Sequence, residues 1–389
     1  MRWIRGLLPF LMTVGGGCSV VDPVANLPGP AGPGTACATR RPQVVVDGAT
    51  GREVCSGLLA ARIFKQALCS CKYLVNSAPL TTDGAGASIG ANEGVIANDR
   101  LTVGGSLRVA GKGDIQVATS LSVAGELREA GSLQNLGSGA SVSVKGDAWV
   151  AGNIKLDTLK VEGRLTVPSE STLSVSGMQV SELRREPVET LAPPCPCDSP
   201  EDIGAYVKNH VTSNDNAVSG IQSQRLDGFS GDQVLELPGG RFYLSRIRGE
   251  GAVRLVMKER TALFVDGDVD MNRFTVELDG ECAELDLFIS GALLAGGKLE
   301  PGSSPYPSHL RVYVGGDKTL DVSGESTLAG YFYTPRANLA LGGRVELSGA
   351  LFARQVSSSG GLTVHYDPDV LDLGNACAAS FMGDGNDGH

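Results

Sequence analysis

Residues 101–125 read LTVGGSLRVA GKGDIQVATS LSVAG, and their rhythm decides the architecture. A triplet of apolar, polar and apolar residues returns here as Leu101-Thr102-Val103, Leu107-Arg108-Val109, Ile115-Gln116-Val117 and Leu121-Ser122-Val123. Such alternation describes a very short β-strand with two side chains on one face. The pattern resumes as Val142-Ser143-Val144, Ala148-Trp149-Val150, Ile154-Lys155-Leu156, Leu159-Lys160-Val161, Leu165-Thr166-Val167 and Leu173-Ser174-Val175. A glycine commonly follows each triplet after one intervening residue, as at Gly105, Gly111, Gly125, Gly146, Gly152, Gly163 and Gly177, where a chain turning a corner needs a permissive residue. No triplet buries enough apolar surface alone, so successive windings must stack around a dry lumen. The predicted class is all-β: a right-handed β-helix or β-solenoid with three short faces per coil and short capping helices.

Composition agrees. Glycine supplies 53 of the 389 residues, about twice the usual share. The net charge of −10 argues against nucleic acid as a partner. From Gly239 strands return with a longer, coil-sized period: Leu263-Phe264-Val265, Leu287-Phe288-Ile289, Val312-Tyr313-Val314, Tyr331-Phe332-Tyr333 and Leu351-Phe352-Ala353, with aromatic residues placed to stack in a ladder. Between the two rhythms, residues 181–235 carry Pro187, Pro193 and Pro194 and a helix signal, with Ser199 as N-cap, Pro200 in the first turn and Ile203, Tyr206, Val207 and Val211 as its apolar stripe. Upstream, Thr50-Gly51-Arg52-Glu53 reads as a capping box for a helix over 50–71, with Cys55, Leu59, Ile63 and Ala67 on its buried side, placed to cover the exposed end of the first coil.

The N-terminus carries an address. Met1-Arg2-Trp3-Ile4-Arg5 precedes an apolar run from Leu7 to Val14, too short to span a bilayer, and Gly15-Gly16-Gly17-Cys18 resembles the bacterial lipobox. Cys18 is therefore the predicted lipidation site, and the Pro- and Gly-rich residues behind it a flexible spacer. Ser19 after the cysteine points to the outer membrane of a Gram-negative envelope. Eight cysteines remain, Cys37, Cys55, Cys69, Cys71, Cys195, Cys197, Cys282 and Cys377, an even number that predicts disulfides in an oxidising compartment. Cys69-Ser70-Cys71 and Cys195-Pro196-Cys197 can tie their two segments together; a four-thiolate zinc site is the competing reading. The predicted organisation is a signal peptide over 1–17, a lipidated tether over 18–40, a cysteine-containing helical cap over 41–80, solenoid repeats over 81–182, a Pro/Cys linker with a helix over 183–235, a second solenoid domain over 236–373 and a flexible tail over 374–389.

The second half resembles a family of exported β-solenoid domains of unknown function, found in bacterial surface lipoproteins of the myxobacterial type and beside pilus-assembly proteins. The residues that carry the resemblance include Leu237-Pro238-Gly239-Gly240-Arg241-Phe242-Tyr243, Thr261 through Val269, Leu285 through Gly291, Val312 through Gly316, Gly330 through Ala337, Gly349 through Arg354 and Thr363 through Asp367. The first half resembles bactofilin-type repeats in rhythm. The resemblance implies a fold and a compartment, and transfers no catalytic residue.

Several residue groups imitate sites. Asp266, Asp268, Asp270, Asn272 and Glu277 follow a calcium-loop spacing, but Met271 stands where that loop needs glycine. Gly383-x-Gly385-x-x-Gly388 matches a dinucleotide fingerprint with no helix able to follow. Of the histidines His210, His309, His365 and His389, His365 beside Tyr366 and Asp367 lacks an accompanying nucleophile elbow. Asp286, Asp321 and Glu346 are the acids a solenoid lyase or glycosidase would bring together. The expectation is a non-catalytic, lipid-anchored envelope protein that presents a rigid solenoid to an envelope protein or polysaccharide, without cofactor or metal; the alternative is a carbohydrate-active β-helix enzyme.

Overall fold

A computed structural model describes residues 44–374 apart from 112, 281, 301, 303 and 304, and the backbone alone of 295–300. The predicted signal, tether, Cys18, Cys37, Cys377, His389 and the glycines after 382 lie outside the described residues. The chain winds into a β-solenoid of about 14 turns, with roughly half of its residues in strands. Each short strand pairs in parallel with strands one coil away on either side, so backbone hydrogen bonds run along the axis while side chains alternate between lumen and exterior. The lumen residues of the triplets, Leu101, Val103, Leu107, Val109, Ile115 and Val117 among them, are buried in one continuous hydrophobic core.

The order of the coils in space differs from their order in the chain. On one face, called here the first face, aligned lumen residues run Phe242, Leu263, Leu287, Val312, Phe332, Leu351, then Leu68, Ile89, Leu107, Leu127, Ala148, Leu165, Leu183. The later half of the sequence thus comes first along the axis, and the earlier half continues it. At the seam Leu351 pairs with Leu68, Val356 with Leu74 and Leu362 with Leu80, one contact on each of the three faces. The strand Leu68–Ser70 occupies the place that the chain would take if it wound on past His365. Instead Tyr366 turns aside and its hydroxyl donates to the Phe64 carbonyl, 2.8 Å away. Corners are tight enough to require glycine at Gly330 and Gly349, where φ is +140° and +130° and a Cβ on Gly349 would lie 2.0 Å from the Gly330 carbonyl oxygen.

The helices depart from the sequence reading. Helix α1 is Ser56–Ile63, not 50–71, because Glu53–Cys55 pairs antiparallel with Val44–Val46 and leaves no capping box. Thr50 sits in a turn held by Asp47. Nor does α1 close a coil end: it packs on the flank beside the seam, against the 3-10 turn Pro368–Leu371. Helix α2 is Ile203–Asn209, capped by the Asp202 carboxylate on the Ala205 N–H rather than by Ser199, and Val211 is exposed. Helix α3 is a single turn, Asn216–Ser219. No helix among the described residues is long and apolar enough to cross a membrane.

Between the two solenoid segments the chain must return from one end of the earlier half to the start of the later one. It does so over the outside of the first face. The Glu186 N–H still donates to the Val167 carbonyl at the last coil, and Cys195 is fixed by Asn92 of the second coil of that half, through bonds of 2.8 and 3.0 Å. From Glu186 to Cys195 an extended chain reaches ~30 Å, and the rungs from Leu183 back to Leu68 stand ~29 Å apart. This strap is therefore drawn out almost fully, which suits a segment carrying three prolines. Two disulfides hold its far end: Cys69–Cys195 and Cys71–Cys197, with Cα separations of 5.7 and 5.6 Å. The four sulfurs are consumed in pairs, so the zinc reading is excluded. Cys55 and Cys282 are disulfide-bonded as well.

Candidate functional site

The outer positions of the first face differ between the halves. In the later half they are Tyr243, Phe264, Phe288, Tyr313, Tyr333 and Phe352. Phe264, Phe288 and Tyr313 stack, with centroids 5.0 Å apart for Phe264–Phe288 and 4.7 Å for Phe288–Tyr313, while Tyr333 meets Tyr313 edge-on and Phe352 at a tilt. Helix α2 covers them: Tyr206 stacks on Phe288 at 5.4 Å and His210 on Phe264 at 3.5 Å. His210 accepts from the Val46 N–H through Nε2 and contacts the Tyr206 carbonyl through Nδ1; burial holds its pKa down at about 4, so it is a neutral structural histidine.

Beneath α1 lies a buried ionic cluster. The Arg311 guanidinium donates to both Asp286 oxygens (2.6 and 3.0 Å) and to Glu284 (3.0 Å), Arg260 donates to Glu284 (2.8 Å), and Ser56 of α1 donates to Asp286 (2.7 Å). Burial alone would raise the Glu284 pKa, but the Arg311 and Arg260 charges outweigh it and hold the carboxyl below its ordinary value. Asp286 is therefore a saturated structural acid. Of the other two acids grouped with it, Asp321 faces out on a different side, in an open cleft of about 520 Å³ with Asp270 and Arg248, and Glu346 lies on the third side at the seam. The three do not converge. The calcium-loop residues likewise run from a turn into the strand Val269–Leu278: Asp268 pairs with Lys318 and Glu277 with Arg254. Among the described residues no three metal-ligating side chains are grouped.

His365 bridges the seam, its Nδ1 2.7 Å from Asp83 and its Nε2 3.1 Å from Glu346. Partial burial lowers its pKa, yet hydrogen bonds and charge from the two carboxylates prevail and raise it.

In the earlier half the outer positions of the same face are Cys69, Gly90, Arg108, Arg128, Trp149 and Thr166, roofed by the strap. A cleft of about 410 Å³ opens there, lined by Arg128, Glu129, Trp149 and Thr166 and by Glu186–Ala192 of the strap. The Arg128 guanidinium lies 4.1 Å from the Trp149 ring centroid and pairs with Glu126. Glu129 occupies a rung position held by Val109 on one side and Val150 on the other. It is 1% exposed. One carboxyl oxygen accepts from the Gly131 N–H at 2.6 Å, and the other has no hydrogen-bond partner; nor does the buried Thr166 hydroxyl. Burial, helped by the Asp114 charge and opposed by the Gly131 N–H, pushes the Glu129 pKa up to about 9, so the acid is neutral at physiological pH. The sequence does carry a trace of this site: Leu127-Arg128-Glu129 has triplet spacing with an acid where the second apolar residue belongs.

A family model described as a domain of unknown function, DUF7305, matches residues 197–373, which hold α2, α3 and the whole later half up to the seam. Neither the curated proteins nor the solved structures hold a match to the chain. The later half is thus similar to a domain of unknown function, and the earlier half lies outside the match.

Proposed function

We propose that the protein is a lipid-anchored component of the bacterial cell envelope that acts as a rigid binding surface. The observation that carries this reading is the placement of the two ends of the column. The described chain begins at Val44–Val46, which is held by His210 beside the Phe264 rung. The coil Leu173–Arg185 stands at the opposite end of the ladder, ~50 Å away. That last coil is uncapped: Met178 and Leu183 align with the lumen residues Leu159 and Leu165, yet are 48% and 42% exposed. An open strand edge with apolar lumen residues is a surface that recruits a partner. A tether entering at one end supports an arrangement in which the open end projects away from a membrane. The Cys18 reading, the signal preceding it and the paired cysteines are consistent with export to an oxidising compartment.

The test is to label cells with a fatty-acid probe, comparing wild type with Cys18→Ala, and to cross-link the envelope around the wild-type protein and Leu183→Lys. The expected results are loss of label in the first variant and loss of an envelope cross-link in the second. An unlabelled wild type overturns the anchor, and identical cross-links in wild type and Leu183→Lys overturn the role of the open coil.

A further inference from the structure

We propose that the open coil is the interface of a closed, two-fold dimer, in which a second copy of this chain sets its own Leu173–Arg185 strand antiparallel against it. The proposal rests on the open-coil reading above and names the partner.

The two ends of the column are built differently. At the Phe242 end the lumen residues Leu235, Leu237 and Phe242 are at most 7% exposed. The edge of the strand Gly240–Leu244 is closed by the chain itself: Asp215 and Asn216 exchange hydrogen bonds of 2.7–3.0 Å with the backbone of Arg241 and Tyr243. On the first face that end is therefore saturated. At the Leu183 end Arg185 turns its guanidinium onto the Pro168 and Ser171 carbonyls, while Met178 and Leu183 stay nearly half exposed. The strap leaves Glu186 and runs back along the column, away from this edge.

Backbone direction and side-chain charge select the partner. In the column of rungs that ends at Leu183, each lumen leucine donates its N–H to the following coil, Leu107 to the Glu126 carbonyl and Leu127 to that of Asp147. The Leu183 N–H therefore points out of the open end. An antiparallel copy with Leu183 opposite Leu183 completes a mutual pair of backbone hydrogen bonds. The same register places Glu182 of each copy opposite Arg184 of the other, in the more closely spaced kind of cross-strand pair, so opposite charges meet twice. A dyad through this face sets the other two faces of the coil, Leu173 to Val175 and Gly177 to Val180, against each other. Met178 and Leu183 then pass from water into one joined lumen. Because the Phe242 end is saturated on the first face, head-to-tail addition is blocked and the assembly stops at two copies.

The test is sedimentation of the purified full chain in non-ionic detergent, from about 1 to about 100 µM. A concentration-dependent dimer and no larger species is expected. Leu183→Lys should weaken it by about tenfold or more while circular dichroism shows the fold retained. Glu182→Arg and Arg184→Glu should each weaken it as well, because like charges then face one another across the dyad. Mixed in equal amounts, these two variants should recover a dimer, since each supplies the charge that the other lacks. A wild-type monomer at the highest concentration, a filament, a dimer indifferent to Leu183→Lys, or a mixture that stays monomeric each overturns the proposal. A monomeric chain whose open coil still cross-links to a different envelope protein overturns the second copy and leaves the binding-surface reading standing.

Discussion

Along a single face of one column, the two halves solve the same problem in opposite ways. In the later half the outer ladder is aromatic, from Tyr243 to Phe352, and helix α2 packs its rings onto it, so the face becomes a second core. In the earlier half the ladder is polar, Arg108 through Thr166, and only an extended strap crosses it. Helices bring broad apolar faces and exclude water; a drawn-out proline-containing chain cannot, and leaves a cleft beside Trp149. The coil geometry is shared, so what covers the face decides whether it is sealed or left with a cleft.

The largest effect that separates the halves should come from the disulfides. Each closes a loop with a sequence separation of 126 residues, and chain entropy assigns about 5 kcal/mol to the first such closure, with far less for the second. Replacing all four cysteines by serine should lower the midpoint of thermal unfolding sharply and free the strap, read as new proteolytic cleavage within 186–194. An unchanged midpoint would mean that the strap is held by Asn92 and local packing alone.

Next is the ionic cluster. Arg311→Ala leaves Asp286 and Glu284 without their main counter-charge, so it should cost about 3–5 kcal/mol in denaturant unfolding. Because the cluster lies under α1, Ser56 included, the loss should appear first as increased amide exchange at the seam. Loss spread evenly over both halves would show that the column unfolds as one unit.

The smallest effect is the pH dependence of the seam. The His365 pKa is raised in the folded state, so its contribution is complete below the unfolded value near 6.5 and is lost as pH rises through the folded value. The ring is 40% exposed, and solvent screening keeps this contribution below about 1 kcal/mol. His365→Gln should flatten the fall in stability as pH rises above about 6.5, measured by denaturant titration at each pH. A variant with the parent slope would assign the pH dependence elsewhere.

Much of the fold was legible because a solenoid repeats a local pattern. Leu101, Val103 and their counterparts alternate at strand spacing, and the glycines mark corners; the coil-length steps from Leu263 to Leu351 mark successive rungs of one face. The paired C-x-C motifs also revealed which two segments meet. Helix α1 was misjudged because Val44–Val46 claims Glu53–Cys55 as a strand partner, a pairing that local propensity does not register. The carboxylates Asp286, Asp321 and Glu346 looked equivalent in the chain, but one neutralises a buried arginine, one faces an open cleft and one bridges the seam. Glu129 escaped notice because a single interrupted triplet resembles noise until the rung alignment sets it between Val109 and Val150.

The amino-acid order by itself determined that this chain coils, where its corners fall and which faces are aromatic, because strand alternation and glycine tolerance act over a few residues. Only the tertiary structure decided that the later half precedes the earlier one along the axis, that the strap is stretched over the first face and that Glu129 is buried between two valine rungs. Parallel strand edges are chemically alike, so any free edge can accept any other; which pair joins is set by closure of the whole column and by the disulfides that hold the returning chain.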